Sequence, residues 1–379
     1  MSSLDLLSKT ASQLAQAKNN LPNQQALLGF DGFVDEIIRV VDKRHALNKY
    51  SPIPTLTAFA KRVAQAAGKS ANIELIVQKL KLGGNGPIMA NALAIFGLRV
   101  NYIGNLGYPT LHPVFEEFAR RANVFSIANP CHTEALEFED GKLMLGKLEA
   151  LHEVTWNNLL RGVGEERFLR FLSDSHLIGL LNWTMIPHMS EIWKEILHLC
   201  PALPASCKNH FIFFDLADPV KRLTEDLREA LALITQFQYY FQVILGLNEK
   251  EGQTVAKALG IESVDATAEQ MLITAQKIRS KMNLHTVVIH PVQYAVAASK
   301  DDATLVEGPF DPKPYISTGA GDHFNAGYCL GQLLGFDLET SLLTGVASSG
   351  FYVRSAQSPT IEELIKFLKN WPVSIKDTF

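Results

Sequence analysis

Short apolar runs alternate with amphipathic segments along most of the chain. The runs at residues 177–182 and Phe211–Asp215 contain almost no polar residue before their last position, which is typical of strands in a parallel sheet covered on both faces. Segments with apolar residues at helical spacing follow them, at Met189–Leu199 and residues 224–236. This alternation predicts an α/β fold, a doubly wound and mostly parallel sheet with helices on both faces.

The same pattern predicts the remaining elements. Further strands are expected at residues 26–33, 73–82, 100–104, 240–247 and 286–290, and further helices at residues 87–96, 113–122, 319–335, 338–353 and 360–368. Residues 3–18 also carry apolar positions at helical spacing. We interpret residues 1–25 as an N-terminal helical extension that precedes one large domain over residues 26–379.

Two segments fall outside this alternation and predict a small β lid. Residues 130–150 contain two extended arms on either side of Asp140 and Gly141, which is the pattern of a β-hairpin. Residues 34–50 include an extended stretch of mixed polarity directly after the first strand. We expect both segments to project from the edge of the sheet.

Composition narrows the class of protein. A chain of 379 residues, 47% of them hydrophobic, can bury a large core. A formal net charge of −4 without a basic block argues against nucleic acid as a partner. The four cysteines have no metal-binding spacing and predict reduced thiols. Neither a secretory signal nor an apolar segment approaching the roughly 20 residues of a membrane span is visible, so we expect a cytoplasmic protein.

The segment at residues 317–327 carries the strongest chemical signal. Gly319, Ala320 and Gly321 present almost no side chain, so a ligand can approach their backbone closely. The first amides of the helix that follows have no acceptor and favour an anion. Asp322 stands beside them, and its carboxylate would repel phosphate. We therefore interpret Asp322 as a base that takes a proton from an attacking hydroxyl; a glycine-rich turn with a surface aspartate is the alternative.

This segment resembles the C-terminal signature of the ribokinase-like (PfkB) carbohydrate kinases, Asp-Thr-x-Gly-Ala-Gly-Asp. Gly319 to Asp322 match the signature, whereas Ile316 and Ser317 replace its leading Asp and Thr. The resemblance implies that Asp322 is the catalytic base and that the amides of Gly319 to Gly321 form the anion hole. It also implies Mg²⁺ and ATP as the default phosphate donor, with another nucleotide or a diphosphate as the alternative.

Acidic residues follow the first predicted strand. Carboxylates such as Asp31 and Asp35 accept paired hydrogen bonds from adjacent sugar hydroxyls, although a polar strand end facing water would have the same composition. The family carries a sugar-binding Asp at this place. The resemblance implies that Asp35 is that residue, with Asp31 as the second choice.

The glycine-rich stretch at residues 81–87 by itself predicts a tight turn ahead of a helix. It also resembles the first signature of the family, a double glycine followed by a helix of small residues. The family usually has Asn where Ile88 stands, and Asn85 could replace that contact. The resemblance therefore implies that Gly84 and Asn85 belong to the acceptor site.

Asn248 and Glu251 have the spacing of a capping box, which alone could explain both residues. The family carries an Asn-x-x-Glu motif at this place. The resemblance implies that Asn248 and Glu251 bind the donor phosphates, with Glu251 organising hydrated Mg²⁺. His290 stands where the family has a Thr-x-Gly motif, and we interpret it as a packed or ribose-adjacent residue.

Together these features predict a small-molecule kinase that transfers the γ-phosphate of ATP to a hydroxymethyl group of a sugar. A nucleoside kinase is one alternative, which aromatic stacking by Phe30 or Phe33 would favour. A catalytically silent ligand-binding protein is another, because Ile316, Ile88 and His290 depart from the family pattern. We expect a sugar or nucleoside and a nucleotide as ligands, and a homodimer, if one forms, through the lid.

Overall fold

A computed structural model describes residues 3–262 and 267–372 of the chain. The strands are β1 Gln25–Phe30, β2 Phe33–Ala46, β3 Lys49–Pro52, β4 Leu75–Gly83, β5 Arg99–Gly104, β6 Asn123–Ser126, β7 Cys131–Phe138, β8 Gly141–Lys147, β9 Leu177–Leu180, β10 Phe211–Asp215, β11 Gln242–Leu247, β12 Thr286–Ile289, β13 Tyr294–Ala298 and β14 Ala303–Glu307. The α-helices are α1 Ser3–Ala17, α2 Leu56–Ala64, α3 Asn85–Phe96, α4 Glu116–Ala119, α5 Trp156–Val163, α6 Glu165–Asp174, α7 Met189–Leu199, α8 Thr224–Phe237, α9 Glu249–Ala258, α10 Ala268–Met282, α11 Ala320–Leu333, α12 Leu338–Ser355 and α13 Ile361–Lys369.

The larger sheet has the strand order β14-β13-β12-β11-β10-β9-β1-β5-β6. All neighbouring pairs from β12 to β6 are parallel, and β13 is antiparallel to both of its neighbours. The predicted doubly wound, mostly parallel sheet is therefore confirmed. β1 pairs with β5 on one side and with β9 on the other, so the order of the sheet reverses at β1. In sheets of this kind, ligands bind outside the carboxyl ends of the strands at such a reversal.

Alternate side chains of the buried strands enter two separate hydrophobic cores. In β1, Leu27 packs with the core beneath α5 to α10, whereas Leu28 packs with the core beneath α1, α3 and α11 to α13. Leu7 and Leu14 of α1 are buried in this second core. The segment predicted as an N-terminal extension thus packs against the same core as the C-terminal helices. No helix of the described residues is long and apolar enough to cross a membrane.

A second sheet of five strands has the order β3-β2-β7-β8, with β4 also paired to β2. It contains the predicted hairpin as β7 and β8, and α2 covers part of one face through Phe59 against Ile38 and Leu136. The strand expected at residues 73–82 was interpreted as part of the parallel sheet, and this is wrong, because β4 is antiparallel to β2. Most of its side chains are exposed, which does not suit a strand covered on both faces.

The helix expected at residues 113–122 is also shorter than the sequence predicts. A 3₁₀ turn at Pro113–Phe115 precedes the single turn of α4. The two buried aromatic side chains of the segment, Phe115 and Phe118, still reach the second core. Three-residue spacing satisfies a 3₁₀ turn as well as an α-helix, so the apolar pattern alone did not separate them.

Candidate active site

Most of the candidate side chains lie at the carboxyl edge of the large sheet, near the reversal at β1. Asp31 follows β1 directly, Asn85 begins α3, and Asp322 lies in the first turn of α11. The Asn85 side chain joins the two helix starts, because its Nδ2 donates to Asp322 Oδ1 at 3.0 Å. Residues that are far apart in sequence therefore lie together at this edge of the sheet.

The turn before α11 presents free backbone amides. Gly319 is the residue that precedes the helix and has φ 92°, a left-handed conformation that favours glycine. The Ala320 amide donates to the Ser317 carbonyl at 3.1 Å. Among the described residues, the N–H groups of Gly319 and Gly321 have no acceptor. Two of the three amides assigned to the anion hole are thus available to a ligand, and the third stabilises the turn.

Asp322 is buried beside these amides. Burial raises the pKa of its carboxyl group to about 8, the hydrogen bond from Asn85 opposes this shift, and the charges of Asp31 and Asp35 add to it. A carboxylate with such a pKa binds a proton much more strongly than an exposed aspartate does. The position is therefore suited to a group that must accept a proton near neutral pH.

The Asp31 carboxylate is fully enclosed by protein donors. Its Oδ2 accepts from the Asn85 amide at 3.0 Å and from Asn182 Nδ2 at 2.8 Å. Its Oδ1 accepts from the Gly86 amide at 2.9 Å. The Tyr102 hydroxyl, which has one proton, donates it to the Asp31 carbonyl and lies 3.4 Å from Oδ1. Asp31 thus holds the start of α3 in place, a structural function that the sequence analysis did not consider.

Asp35 projects from β2 on the same side as Asp322. It is 6% exposed, and burial raises its pKa although a hydrogen bond from Thr133 and the charge of Lys81 oppose this. A side chain at Gly83 would place its Cβ 2.4 Å from the Asp35 carboxyl group, so only glycine leaves room for it. Asp35 has no backbone amide donor among the described residues, so its carboxylate keeps acceptor sites that no backbone amide uses.

Asn248 and Glu251 form the capping box that their spacing predicts. The Glu251 amide donates to Asn248 Oδ1 at 3.0 Å, and the Asn248 amide donates to Glu251 Oε2 at 2.8 Å. The other carboxylate oxygen of Glu251 accepts from the Asp218 amide at 2.7 Å. Burial raises the pKa of Glu251 in spite of these donors.

Asp215, at the end of β10, is a further buried carboxylate that the sequence analysis missed. It accepts from the Ala217 amide at 2.8 Å and from Asn325 Nδ2 at 3.0 Å. Burial raises its pKa well above the usual range, and the charges of Glu251 and Asp322 raise it further. A buried strand that ends in Asp at the carboxyl edge of a parallel sheet is the sequence signal that could have found it.

The carboxylates of this region fit a hard divalent cation only together with other ligands. Asp215 and Glu251 offer oxygen atoms, which Mg²⁺ prefers, and their buried charge favours a cation. Within the described residues, however, no three His, Cys, Asp or Glu side chains converge closely enough to bind a metal ion by themselves. Water and phosphate oxygens would have to complete the coordination of Mg²⁺ here.

The aromatic residues that would favour a nucleoside acceptor are buried in a hydrophobic core. Phe30 and Phe33 are 1% and 5% exposed and belong to the hydrophobic core beneath α5 to α10. His290 lies beside the turn before α11, because a Cβ at Gly321 would be 3.3 Å from its Cε1. Its ring packs on Phe324 with 4.5 Å between the centroids, and burial lowers its pKa to about 4. His290 is thus a packed neutral residue, as expected.

Comparisons with known proteins agree with this arrangement. The model of the prokaryotic ketohexokinase family matches residues 6–371. A curated ketohexokinase from Haloferax volcanii is 29% identical over 350 residues, which cover 92% of this chain and 91% of the relative.

Solved structures establish the ribokinase fold. A ribokinase from Thermotoga maritima superposes with a TM-score of 0.62 at 16% identity, over 92% of this chain and 99% of that one. A fructokinase from Xylella fastidiosa with bound ATP gives 0.62 at 14% identity, again over 92% and 99%. An Arabidopsis thaliana ribokinase complexed with ribose and ATP gives 0.61 at 14% identity, over 91% and 98%.

Replacing Asp322 by asparagine should stabilise the fold increasingly as the pH rises. The folded protein holds this proton more tightly than the unfolded chain, because the pKa is about 8 instead of 3.8. The stability that the proton supplies is therefore complete below about pH 4 and is lost as the pH rises through about 8. Denaturation of both proteins between about pH 5 and 9 should show a difference that grows in favour of Asp322→Asn, by up to about 1.4 kcal/mol per pH unit.

Asp337, at the start of α12, supplies the control for this measurement. Burial raises its pKa, but hydrogen bonds from Lys9 and Thr340 outweigh this and the pKa is lowered. Asp337→Asn should therefore lose stability by an amount that stays constant over the same pH range. A constant difference for Asp322→Asn as well would mean that Asp322 is ionised in the folded protein throughout.

Proposed function

The chain belongs to the prokaryotic ketohexokinase family and is an ATP-dependent carbohydrate kinase, and from that premise we propose that it transfers the γ-phosphate of ATP to a hydroxymethyl group of a ketohexose. The observation that carries the proposal is the buried Asp322 carboxylate beside the free amides of Gly319 and Gly321. A proton acceptor next to an anion-binding turn is what the transfer of a phosphoryl group to an alcohol requires.

Each of these residues has a distinct task in the proposed reaction. Asp322 takes the proton of the acceptor hydroxyl while its oxygen attacks the γ-phosphorus and the bond to the bridging oxygen of ADP breaks. Asn85 orients the base through its 3.0 Å hydrogen bond. The amides of Gly319 and Gly321 stabilise the charge on the transferring group. Positioning and charge stabilisation of this kind account for most of the catalysis in phosphoryl transfer.

The acceptor binds between β2 and the start of α3 in this proposal. Asp35 accepts hydrogen bonds from its hydroxyl groups. Gly83 leaves room for the Asp35 carboxyl group and Gly84 for the Asp31 carboxylate, because neither glycine carries a side chain. Asp31 contributes indirectly, by holding Asn85 in place. The sequence analysis gave Asp31 as the second choice for sugar binding, and its enclosed carboxylate favours Asp35 alone.

The donor phosphates lie along the starts of α9 and α11 in this proposal. Asn248 and Glu251 cap α9 at the end of β11, and Asp215 ends the neighbouring strand. These oxygen-bearing residues would hold Mg²⁺ through water molecules, and Mg²⁺ would neutralise the phosphate charge. The charge that Asp215 and Glu251 impose on each other supports this assignment.

We propose that the second sheet is the lid, built by the segments predicted near residues 34–50 and 130–150 together with β4. Its face with Asp35 covers the acceptor. The opposite face carries four apolar side chains on its edge strands, each 37–51% exposed: Val77, Leu80, Leu143 and Leu145. An exposed apolar surface of this kind favours a partner, and a second copy of the chain is the proposed one.

The cytoplasmic location stays a prediction.

The base assignment predicts a loss of turnover without a loss of donor binding. Asp322→Asn keeps the size of the side chain but removes the proton acceptor, so the turnover number should fall by about 10²–10⁴-fold. ATP affinity should remain at neutral pH and remain or increase above about pH 8, where the Asp322 carboxyl group is ionised and its substitution removes a negative charge near the phosphates. Turnover with a panel of ketohexoses, other sugars and nucleosides, and ATP affinity by calorimetry, should be measured on one preparation.

Asp35→Asn serves as the contrast in the same experiment, since it should weaken acceptor binding and leave ATP affinity unchanged. If the wild-type protein phosphorylates no sugar of the panel, the proposed function is refuted. If Asp322→Asn phosphorylates its acceptor at the wild-type rate, the mechanism is refuted but the function is not.

The metal assignment predicts a changed Mg²⁺ requirement in Glu251→Gln. A neutral side chain attracts the cation less, so half-maximal turnover and Mg²⁺-dependent ATP binding should both need at least about tenfold more Mg²⁺, the scale of one charged hydrogen bond. Glu363→Gln is the matched control, because Glu363 forms the same capping box with Thr360 at the start of α13. Equal Mg²⁺ titrations for the two variants would restrict Glu251 to capping α9.

The proposed dimer predicts that a charge on the outer face of the lid separates the subunits. Sedimentation velocity of the wild-type protein should show a dimer, and Leu80→Glu should shift it to the monomer. Met144→Glu is the control, because Met144 is similarly exposed, at 43% against 51%, but projects from the other face of the sheet. A wild-type protein that sediments only as a monomer would contradict the proposal.

A further inference from the structure

Lys81 lies on the acceptor face of the lid, although the sequence analysis did not select it. It is the cross-strand partner of Asp35 in the pairing of β4 with β2. Directly opposed residues of an antiparallel pair project to the same side of a sheet. Lys81 is half-buried, and its Nζ donates to the Tyr352 hydroxyl at 3.4 Å. Its ammonium group therefore reaches from the lid to α12.

Tyr352 connects this ammonium group to the anion-binding turn. The Tyr352 hydroxyl donates in turn to the Thr318 carbonyl at 2.9 Å, directly before Gly319. A Cβ at Gly319 would lie 3.1 Å from the same hydroxyl oxygen. The Tyr352 side chain thus links Lys81 to the turn whose two free amides begin α11.

The positive charge of Lys81 has no close counter-ion in the protein. Among residues 3–262 and 267–372, no carboxylate oxygen lies within 4 Å of its Nζ, and the bond to Tyr352 uses one of three N–H donors. Burial lowers the pKa of Lys81 and outweighs the opposing charge of Asp35. A largely desolvated cation with unused donors is costly unless an anion pairs with it. The adjacent free amides select for an anion as well.

We infer that Lys81 is the phosphoryl-binding residue of the lid, whose ammonium donates hydrogen bonds to the non-bridging oxygens of the γ-phosphate as it passes to the acceptor. The inference rests on the proposed function. The new bond forms between the acceptor oxygen and the γ-phosphorus, the bond to the bridging oxygen of ADP breaks, and the proton goes to Asp322. Lys81 keeps its own proton throughout. The lid thereby contributes to charge stabilisation as well as to acceptor binding.

The test uses a mimic of the transferring group, so it does not depend on turnover. Calorimetry should measure ADP binding with Mg²⁺, in the presence and absence of aluminium fluoride. The gain in ADP affinity given by aluminium fluoride should fall at least about tenfold in Lys81→Met, the scale of one charged hydrogen bond. Lys81→Arg should keep most of the gain. Lys79→Met is the control, because Lys79 is exposed two residues away on the same face.

Three outcomes would overturn the inference. The first is that aluminium fluoride increases ADP affinity as much in Lys81→Met as in the wild type. The second is that Lys81→Met weakens ADP binding without aluminium fluoride as much as with it. The third is that aluminium fluoride does not increase ADP affinity even in the wild type. Lys81→Gln replaces Lys81→Met if the latter does not fold. Failure of the proposed function is separate, because only the absence of wild-type sugar turnover would show it.

Discussion

The rest of the site depends on the buried carboxylate of Asp31. It follows β1 at the reversal of the sheet and receives hydrogen bonds from the first turn of α3 and from Asn182 after β9. Leaving a buried hydrogen-bonding group without its partner typically costs about 1–3 kcal/mol. Asp31 therefore fixes α3 relative to β1 and places Asn85 within 3.0 Å of Asp322.

Five buried carboxyl groups gather at this edge of the sheet. Burial raises the pKa of each member of the group, which consists of Asp31, Asp35, Asp215, Glu251 and Asp322. Such a cluster costs stability, and perturbed carboxyl groups of this kind gather at functional sites. The free amides before α11 lie beside Asp322, and the Lys81 ammonium projects from the same face of the second sheet as Asp35. A ligand that is anionic and carries a metal ion suits this combination of groups.

The second sheet is joined to the large sheet by a very short connection. Only Asp31 and Gly32 separate β1 from β2. A Cβ at Gly32 would lie 2.3 Å from the Asn105 carbonyl oxygen, so the chain can pass this point only with glycine. Because β2 continues directly from the strand at the reversal, Asp35 and its cross-strand partner Lys81 arrive opposite the start of α11.

The sequence by itself determined the features that depend on neighbouring residues. Apolar runs established the parallel sheet, and the spacing of Asn248 and Glu251 established a capped helix. The turn at Gly319 to Asp322 was recognisable because its small residues and its acid are contiguous.

Only the tertiary structure decided which distant residues meet. The enclosure of Asp31, the approach of Asp215 to Glu251 and the position of Lys81 opposite Asp35 arise from strand order and register. The pairing of β4 with β2 in the second sheet was likewise decided by the tertiary structure. Local periodicity reports whether a segment is extended and how its faces differ, but not which strand pairs with it, because that choice is made by packing across the whole sheet.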